Sequence, residues 1–200
     1  MLYIVGLGPG AKDYILDIAN KTMEKSDVVI GFQRAIDSVS HITTPKFKFK
    51  TLSSIAIYLE NNKNMNISLL ASGDPIFYGI TEYIKKNYSG ELKIIPGLSS
   101  FQYFMSVIGQ SWHDIYLGTM HGRKNDFLED IIKYSSGIFL TDDENSPDII
   151  CKCLYENNID AEVYIGENLS YSDEKISFGR PEEFINLKFS NLSIIYIKKL

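Results

Sequence analysis

Two α/β domains, the first built on a parallel sheet, are what the sequence predicts, on three observations. Short apolar runs alternate with segments of helical periodicity, the pattern of β-α-β units. Three of the runs in the first half open directly into loops that carry glycine. Near "GQSWHD", residues 109 to 114, the first rhythm stops and a second begins. The boundary is placed near residue 111, giving an N-terminal domain over 1–111 and a C-terminal domain over 112–200.

The elements follow in order. "LYIV", residues 2–5, reads as a short buried strand, and a helix is expected over 14–25 because Ile15, Ile18, Ala19 and Met23 share one helical face. "DVVIG", 27–31, is a second strand. A helix over 52–62 leads to a strand over Ile67 to Ala71. The loop "SGDPIFYG", 72–79, runs into a helix over about 77–87, "LKIIP" is the next strand, and "GLSSFQYFMSVIG" is a loop entering a helix. The second half offers "DIYLGT", a helix near 125–134, "GIFLT", a helix near 147–157, "AEVYIG" and "LSIIYIKK".

At 200 residues, 44% hydrophobic and 22% charged, the chain can build an ordinary core. Its formal net charge of −5 argues against a generic nucleic-acid coat, and no apolar run reaches the roughly 20 residues of a membrane span. The N-terminus enters a strand at once, without a leader pattern, so a cytoplasmic protein is expected. Cys151 and Cys153 form a single C-x-C without a second pair, which excludes a cysteine zinc site of the usual spacing; both are read as small buried or half-buried side chains. Trp112 and Tyr116 are read as core or domain-junction residues.

The first glycine loop, G-x-G-P-G at Gly6 to Gly10, departs from the dinucleotide fingerprint. Its third glycine comes one residue early, Pro9 removes a backbone donor, and no acidic residue ends the second strand. The loop is therefore a poor phosphate cradle and could be a plain strand-to-helix turn. In the second, Gly73 could let a ligand approach the backbone, while Asp74 could cap a helix or bind ligand groups. In the third, "IPGLSSFQY", Ser99 and Ser100 could cap a helix or face a ligand.

Together the three loops resemble the tetrapyrrole methylases, the class III S-adenosylmethionine-dependent methyltransferases, over nearly the whole chain. "WHD", "MHGR" at 120–123, "IGENLSYSDEKI" and the chain length further resemble the stand-alone members that methylate C5 of a cobalt-containing corrin precursor. Where the family often has Leu-Thr at its first helix, this chain has Ile15 and Leu16. The resemblance implies two α/β domains with a cofactor cleft between them, a homodimer, S-adenosyl-L-methionine as cofactor, a tetrapyrrole substrate, and a separate C15-methylating, decarboxylating enzyme as a pathway partner. It implies that Pro9 and its glycines wall the cleft. By motif, Gly73, Asp74 and Phe77 line the cofactor pocket beside Ser99 and Ser100, and Leu140, Asn168 and Leu169 close it from the second domain.

A substrate with several carboxylates needs local positive charge. Candidates are Arg34, the Lys46, Lys48 and Lys50 series, and the His121, Arg123 and Lys124 cluster. Arg123 suits a bidentate carboxylate contact, whereas the alternating lysines read better as a solvated edge strand. His121 is a loop hydrogen-bonder or a proton acceptor, and no catalytic base is assigned: an electron-rich meso carbon can attack a sulfonium methyl first and lose its proton afterwards. Other readings are a class III methyltransferase acting at another corrin position or on a modified histidine of a translation factor in the diphthamide pathway, a nicotinamide oxidoreductase, and a ligand sensor without turnover.

Overall fold

The computed structural model describes residues 1–120 and 127–200. The first sheet is built from β1 (Leu2–Gly6), β2 (Val28–Phe32), β3 (Lys46–Phe49), β4 (Ile67–Ala71) and β5 (Leu92–Ile95), with α1 (Asp17–Glu24), α2 (Gln33–Ser38), α3 (Leu52–Asn61) and α4 (Thr81–Asn87) between them. The strand order is β3-β2-β4-β1-β5 and every pairing is parallel. Parallel strands are covered on both faces. Accordingly Val5, Val29 and Leu70 pack with Ala19, Met23 and Ile36 on one face. Leu2, Ile4, Ile30 and Leu69 pack with Ile55, Leu59 and Ile84 on the other.

The second sheet contains β6 (Tyr116–Thr119), β7 (Ser136–Leu140), β8 (Ala161–Glu167), β9 (Lys175–Gly179) and β10 (Ser193–Lys199), accompanied by α5 (Ser100–Val107), α6 (Phe127–Tyr134) and α7 (Pro147–Glu156). Its order is β6-β7-β10-β8-β9, parallel between β6 and β7 and antiparallel elsewhere. Phe127 and Ile131 of α6 and Ile150, Cys151 and Leu154 of α7 bury against Phe139, Val163, Ile165, Ile195 and Ile197. Pro147 opens α7, where its missing N–H costs nothing. Backbone contacts divide the chain into Met1–Ser100 and Phe101–Leu200, upstream of the position near residue 111 read from the sequence.

The mixed α/β class expected is the one found, and several local readings change. The first helix begins at Asp17, after a 3-10 turn at Lys12–Tyr14. Ile15 thus lies ahead of the helix yet stays buried with Ala19 and Met23, whereas Ile18 is 52% exposed. The periodicity assigned Ile18 to the wrong face because it assumed one unbroken helix. Trp112 is not a core residue: it is 43% exposed, with its ring edge-on to Phe101, while Tyr116 does pack against the second core. Two short elements, α2 and β9, had no sequence reading. The lysine-bearing strand β3 is an edge, as its alternating pattern suggested. Cys151 is buried and Cys153 half-buried, and burial pushes the Cys151 thiol up to about 12. No helix among the described residues is long and apolar enough to cross a membrane.

Candidate active site

Strand order turns three separate sequence motifs into one place. β4, β1 and β5 are neighbours and run parallel, so the loops "GLGPG", "SGDPIFYG" and "IPGLSS" all leave from the same sheet edge. The chain leaves β1 past β4 to reach β2, and leaves β4 past β1 to reach β5. The β1–β4 pair is therefore the point where connections diverge, which is where open α/β sheets bind ligands.

The loops are locked together by their backbones. Leu7 N–H donates to the Ala71 carbonyl (2.9 Å), and Gly8 and Gly73 exchange two hydrogen bonds, Gly73 N–H to Gly8 O at 2.8 Å and Gly8 N–H to Gly73 O at 3.3 Å. A Cβ on Gly6 would lie 2.6 Å from Gly97 N and 2.8 Å from Gly73 O, and one on Gly97 would lie 2.9 Å from Gly6 Cα and run into the Gly73 carbonyl. Gly6 and Gly97 are thus required by backbone-on-backbone contact. Gly73 is different: its φ is +63°, and a Cβ there would meet only Ser99 Cα at 3.7 Å and Ser100 N at 3.9 Å. Conformation, rather than crowding, demands glycine at 73.

The second loop folds onto itself. Asp74 Oδ1 accepts from the N–H groups of Ile76 (2.9 Å) and Phe77 (3.3 Å), while Oδ2 accepts from Gly97 N–H (3.3 Å). Both carboxylate oxygens therefore staple the second loop, internally and to the third. The buried Thr81 hydroxyl donates to Pro75 O at 2.6 Å, and Gly79 abuts the same carbonyl so closely that a Cβ would collide with it. With Tyr78 at φ +51°, this closed turn explains why α4 begins at Thr81 and not at 77. The Phe77 and Tyr78 rings meet edge to face at 4.8 Å, and Ile76 is 62% exposed.

The remaining sequence candidates fall as follows. Pro9 sits half-buried between Gly8 and Gly10. Ser99 is buried and Ser100 is the first residue of α5. Arg34 is exposed in the first turn of α2, just beyond the carboxyl end of β2 and hence at the same sheet edge as the glycine loops. In the second unit Leu140 ends β7, its carbonyl accepting from Met120 N–H at 2.7 Å. Asn168 adopts φ +47°; its amide donates to Asp173 (2.9 Å) and accepts from Ser190 Oγ (2.7 Å), so both ends of the side chain are engaged. Leu169 is buried, its methyl close to where a Gly166 Cβ would stand. His121, Arg123 and Lys124 lie outside the described residues.

The sequence reading missed Thr81, Glu167 and Glu174. Glu167 is 7% exposed; Oε1 accepts from Ser190 N–H (2.9 Å), and Oε2 has no hydrogen bond, with Lys175 Nζ 3.6 Å away. The motif "GENLSYSDE" contains these carboxylates, but nothing in its spacing reveals their partners. Asp74 is the one carboxylate within the three glycine loops. The loops present hydroxyls, amides, carbonyls and aromatic rings, a surface suited to holding and orienting a reactive ligand rather than to acid–base chemistry. Among the described residues no group of His, Cys, Asp and Glu could hold a metal ion.

Residues 1–184 match the family model of the tetrapyrrole (corrin/porphyrin) methylases. A protein of Methanocaldococcus jannaschii described as a probable cobalt-precorrin-7 C(5)-methyltransferase is 34% identical, over 97% of this chain and 96% of its own. The crystal structure of a cobalamin-biosynthesis precorrin-6Y methylase from Archaeoglobus fulgidus superposes with a TM-score of 0.80 at 20% identity, covering 100% of this chain and 98% of that one. A Thermus thermophilus uroporphyrin-III C-methyltransferase crystallised with S-adenosylhomocysteine gives a TM-score of 0.80 at 16% identity, over 98% and 96%.

Proposed function

This chain belongs to the tetrapyrrole (corrin/porphyrin) methylase family, and from that premise we propose that it is an S-adenosyl-L-methionine-dependent methyltransferase acting on C5 of cobalt-precorrin-7 in cobalamin biosynthesis. One observation carries the choice of acceptor: the end-to-end match, at 34% identity, with a protein described as performing that reaction. The departures of the first loop from a dinucleotide fingerprint count against a nicotinamide enzyme, as does β2, which ends in Gly31 and Phe32 without an acidic residue to hold a ribose.

The proposed cofactor residues are Pro9, Gly73, Asp74, Phe77, Ser99 and Ser100, with Leu140, Asn168 and Leu169 from the second unit. The donor set fits: hydroxyls and backbone amides suit the amino-carboxylate end and the ribose of the ligand, and the aromatic and aliphatic side chains suit the faces of its adenine. S-adenosyl-L-methionine, when bound, supplies an electrophilic methyl group. The chain's task is positioning, because holding the reacting carbon in line within about 3–3.5 Å of the methyl supplies most of the acceleration such a displacement needs. Asp74 serves by fixing two loops rather than by taking a proton. Arg34, together with His121, Arg123 and Lys124, is proposed to receive the carboxylates of the substrate. A homodimer in the cytoplasm, working with a separate C15-methylating and decarboxylating enzyme, completes the proposal.

The test is incubation of the purified protein with a C5-unmethylated cobalt-precorrin and methyl-labelled cofactor, with the product read by mass spectrometry and NMR. One added methyl at C5, without loss of carbon dioxide, is expected; label on a protein acceptor or at another ring position overturns the assignment.

A further inference from the structure

We propose that Glu174 is a positioning residue for cofactor binding: it holds the Asn168–Ser170 turn in a strained conformation through the Ser170 amide and the Tyr103 hydroxyl. The inference rests on the proposed assignment of Asn168 and Leu169 to the cofactor.

The turn joins β8 to β9 and contains two non-glycine residues in the left-handed region, Asn168 at φ +47° and Ser170 at φ +68°. Such residues cost roughly 1–3 kcal/mol each and persist only where surrounding contacts over-determine them. Here those contacts are visible. Asn168 N–H donates to Leu192 O (2.9 Å), its side chain bridges Asp173 and Ser190, and its carbonyl accepts from Tyr171 N–H (3.0 Å). Leu169 is turned inward, where with Phe104 it fills the space that a side chain on Gly166 would need. The side chains of Asn168 and Leu169 and the Asn168 backbone are thus committed to the protein, and the Leu169 backbone between them is what the turn has left to present to a ligand. Its shape must be right, and the shape at Ser170 is set by Glu174.

Glu174 Oε2 accepts from Ser170 N–H at 2.6 Å and from Tyr103 O–H at 2.7 Å. Both are short bonds to a carboxylate, the strong class. The first fixes the left-handed residue from within the turn. The second anchors the carboxylate to α5, an element 71 positions away in sequence. A carboxylate holding only the hairpin would not need a partner on a helix. One tied to both converts the rigidity of α5 into a fixed path for residues 168–170.

The test uses the whole protein with three variants, Glu174→Gln, Tyr103→Phe and the double, each titrated with S-adenosylhomocysteine by calorimetry well below its unfolding midpoint. Glu174→Gln is expected to weaken binding about tenfold, Tyr103→Phe about threefold, and the double by less than the product of the two, since both act on the shared Tyr103–Glu174 bond, which one weakens and the other deletes. Hydrogen exchange should show lost protection at the Ser170 amide in Glu174→Gln. The KM for the cofactor should rise while that for the tetrapyrrole stays put, a split that general destabilisation does not produce. If Glu174→Gln fails to fold, Tyr103→Phe, which deletes one oxygen, carries the test. Variants that lower the unfolding midpoint yet bind S-adenosylhomocysteine like the wild type overturn the inference and leave the proposed function standing. A wild-type protein that binds no S-adenosylhomocysteine overturns both.

Discussion

Replacing three glycines by alanine separates two physical costs, left-handed backbone and crowding, and the comparison isolates what the loop lock does. At Gly109 φ is +65° and a Cβ would meet nothing within 4 Å. At Gly73 φ is +63°, with ordinary contacts at 3.7 and 3.9 Å. Both substitutions should cost about 1–2 kcal/mol, the price of a left-handed L-residue. At Gly97 the Cβ would run into the Gly73 carbonyl oxygen and stand 2.9 Å from Gly6 Cα, against an optimum of about 3.5–4.0 Å, so backbone atoms must separate by roughly 0.6–1 Å at Gly6 and by more at Gly73. That motion stretches the Gly8–Gly73 bonds and the Gly97 N–H bond to Asp74. Overpacking of about 1–3 kcal/mol and a weakened bond or two of about 1 kcal/mol each give about 2–5 kcal/mol. The assay is urea unfolding of each variant beside calorimetric titration with S-adenosylhomocysteine. Gly109→Ala and Gly73→Ala should lose similar stability, but only Gly73→Ala should weaken the ligand, about tenfold; Gly97→Ala should lose more of both. Equal ligand affinity across all three, each folded, would refute the reasoning that the glycine lock shapes the cofactor site.

Asp74→Ala removes a carboxylate that caps two amides and the Gly97 N–H, and should destabilise the protein by about 1–3 kcal/mol by urea unfolding. Thr81→Val strands the Pro75 carbonyl next to a hydroxyl position that is 1% exposed, costing about 1–2 kcal/mol and speeding proteolysis within residues 75–80. Because the folded Cys151 thiol sits near 12 and an unperturbed one near 9, the unfolded chain gives up that proton first as pH rises; the stabilising difference is intact below about pH 9 and lost progressively toward 12, so stability against pH should be flatter in Cys151→Ala over that window. Arg123→Ala should raise the KM for the tetrapyrrole about tenfold to a hundredfold while leaving cofactor affinity unchanged, as measured by steady-state kinetics and calorimetry.

The strands and the glycine loops were legible because each is a local signal: an apolar run of the right length, then residues that permit unusual backbone. The adjacency of the three loops was not, since it depends on β4 inserting between β2 and β1, a choice no local pattern records. The role of Gly97 was hidden for the same reason; its neighbours Gly6 and Gly73 are distant in sequence. Ile18 misled because two helical segments separated by an extended Leu16 mimic one longer period. The start of α4 was read too early because Pro75 after Asp74 looks like a capped helix, and only the Thr81 bond to Pro75 shows the turn that intervenes. Tyr103 and Glu174 each look like ordinary surface residues until the fold brings them within 2.7 Å.

The most direct measurement of the central claim is the position of the transferred methyl group. With a carbon-labelled donor and a C5-unmethylated cobalt-precorrin, the account predicts a mass gain of one methyl, a single new labelled resonance at C5, and stoichiometric S-adenosylhomocysteine. Label at C15 or C11, release of carbon dioxide, or label on a protein would contradict it.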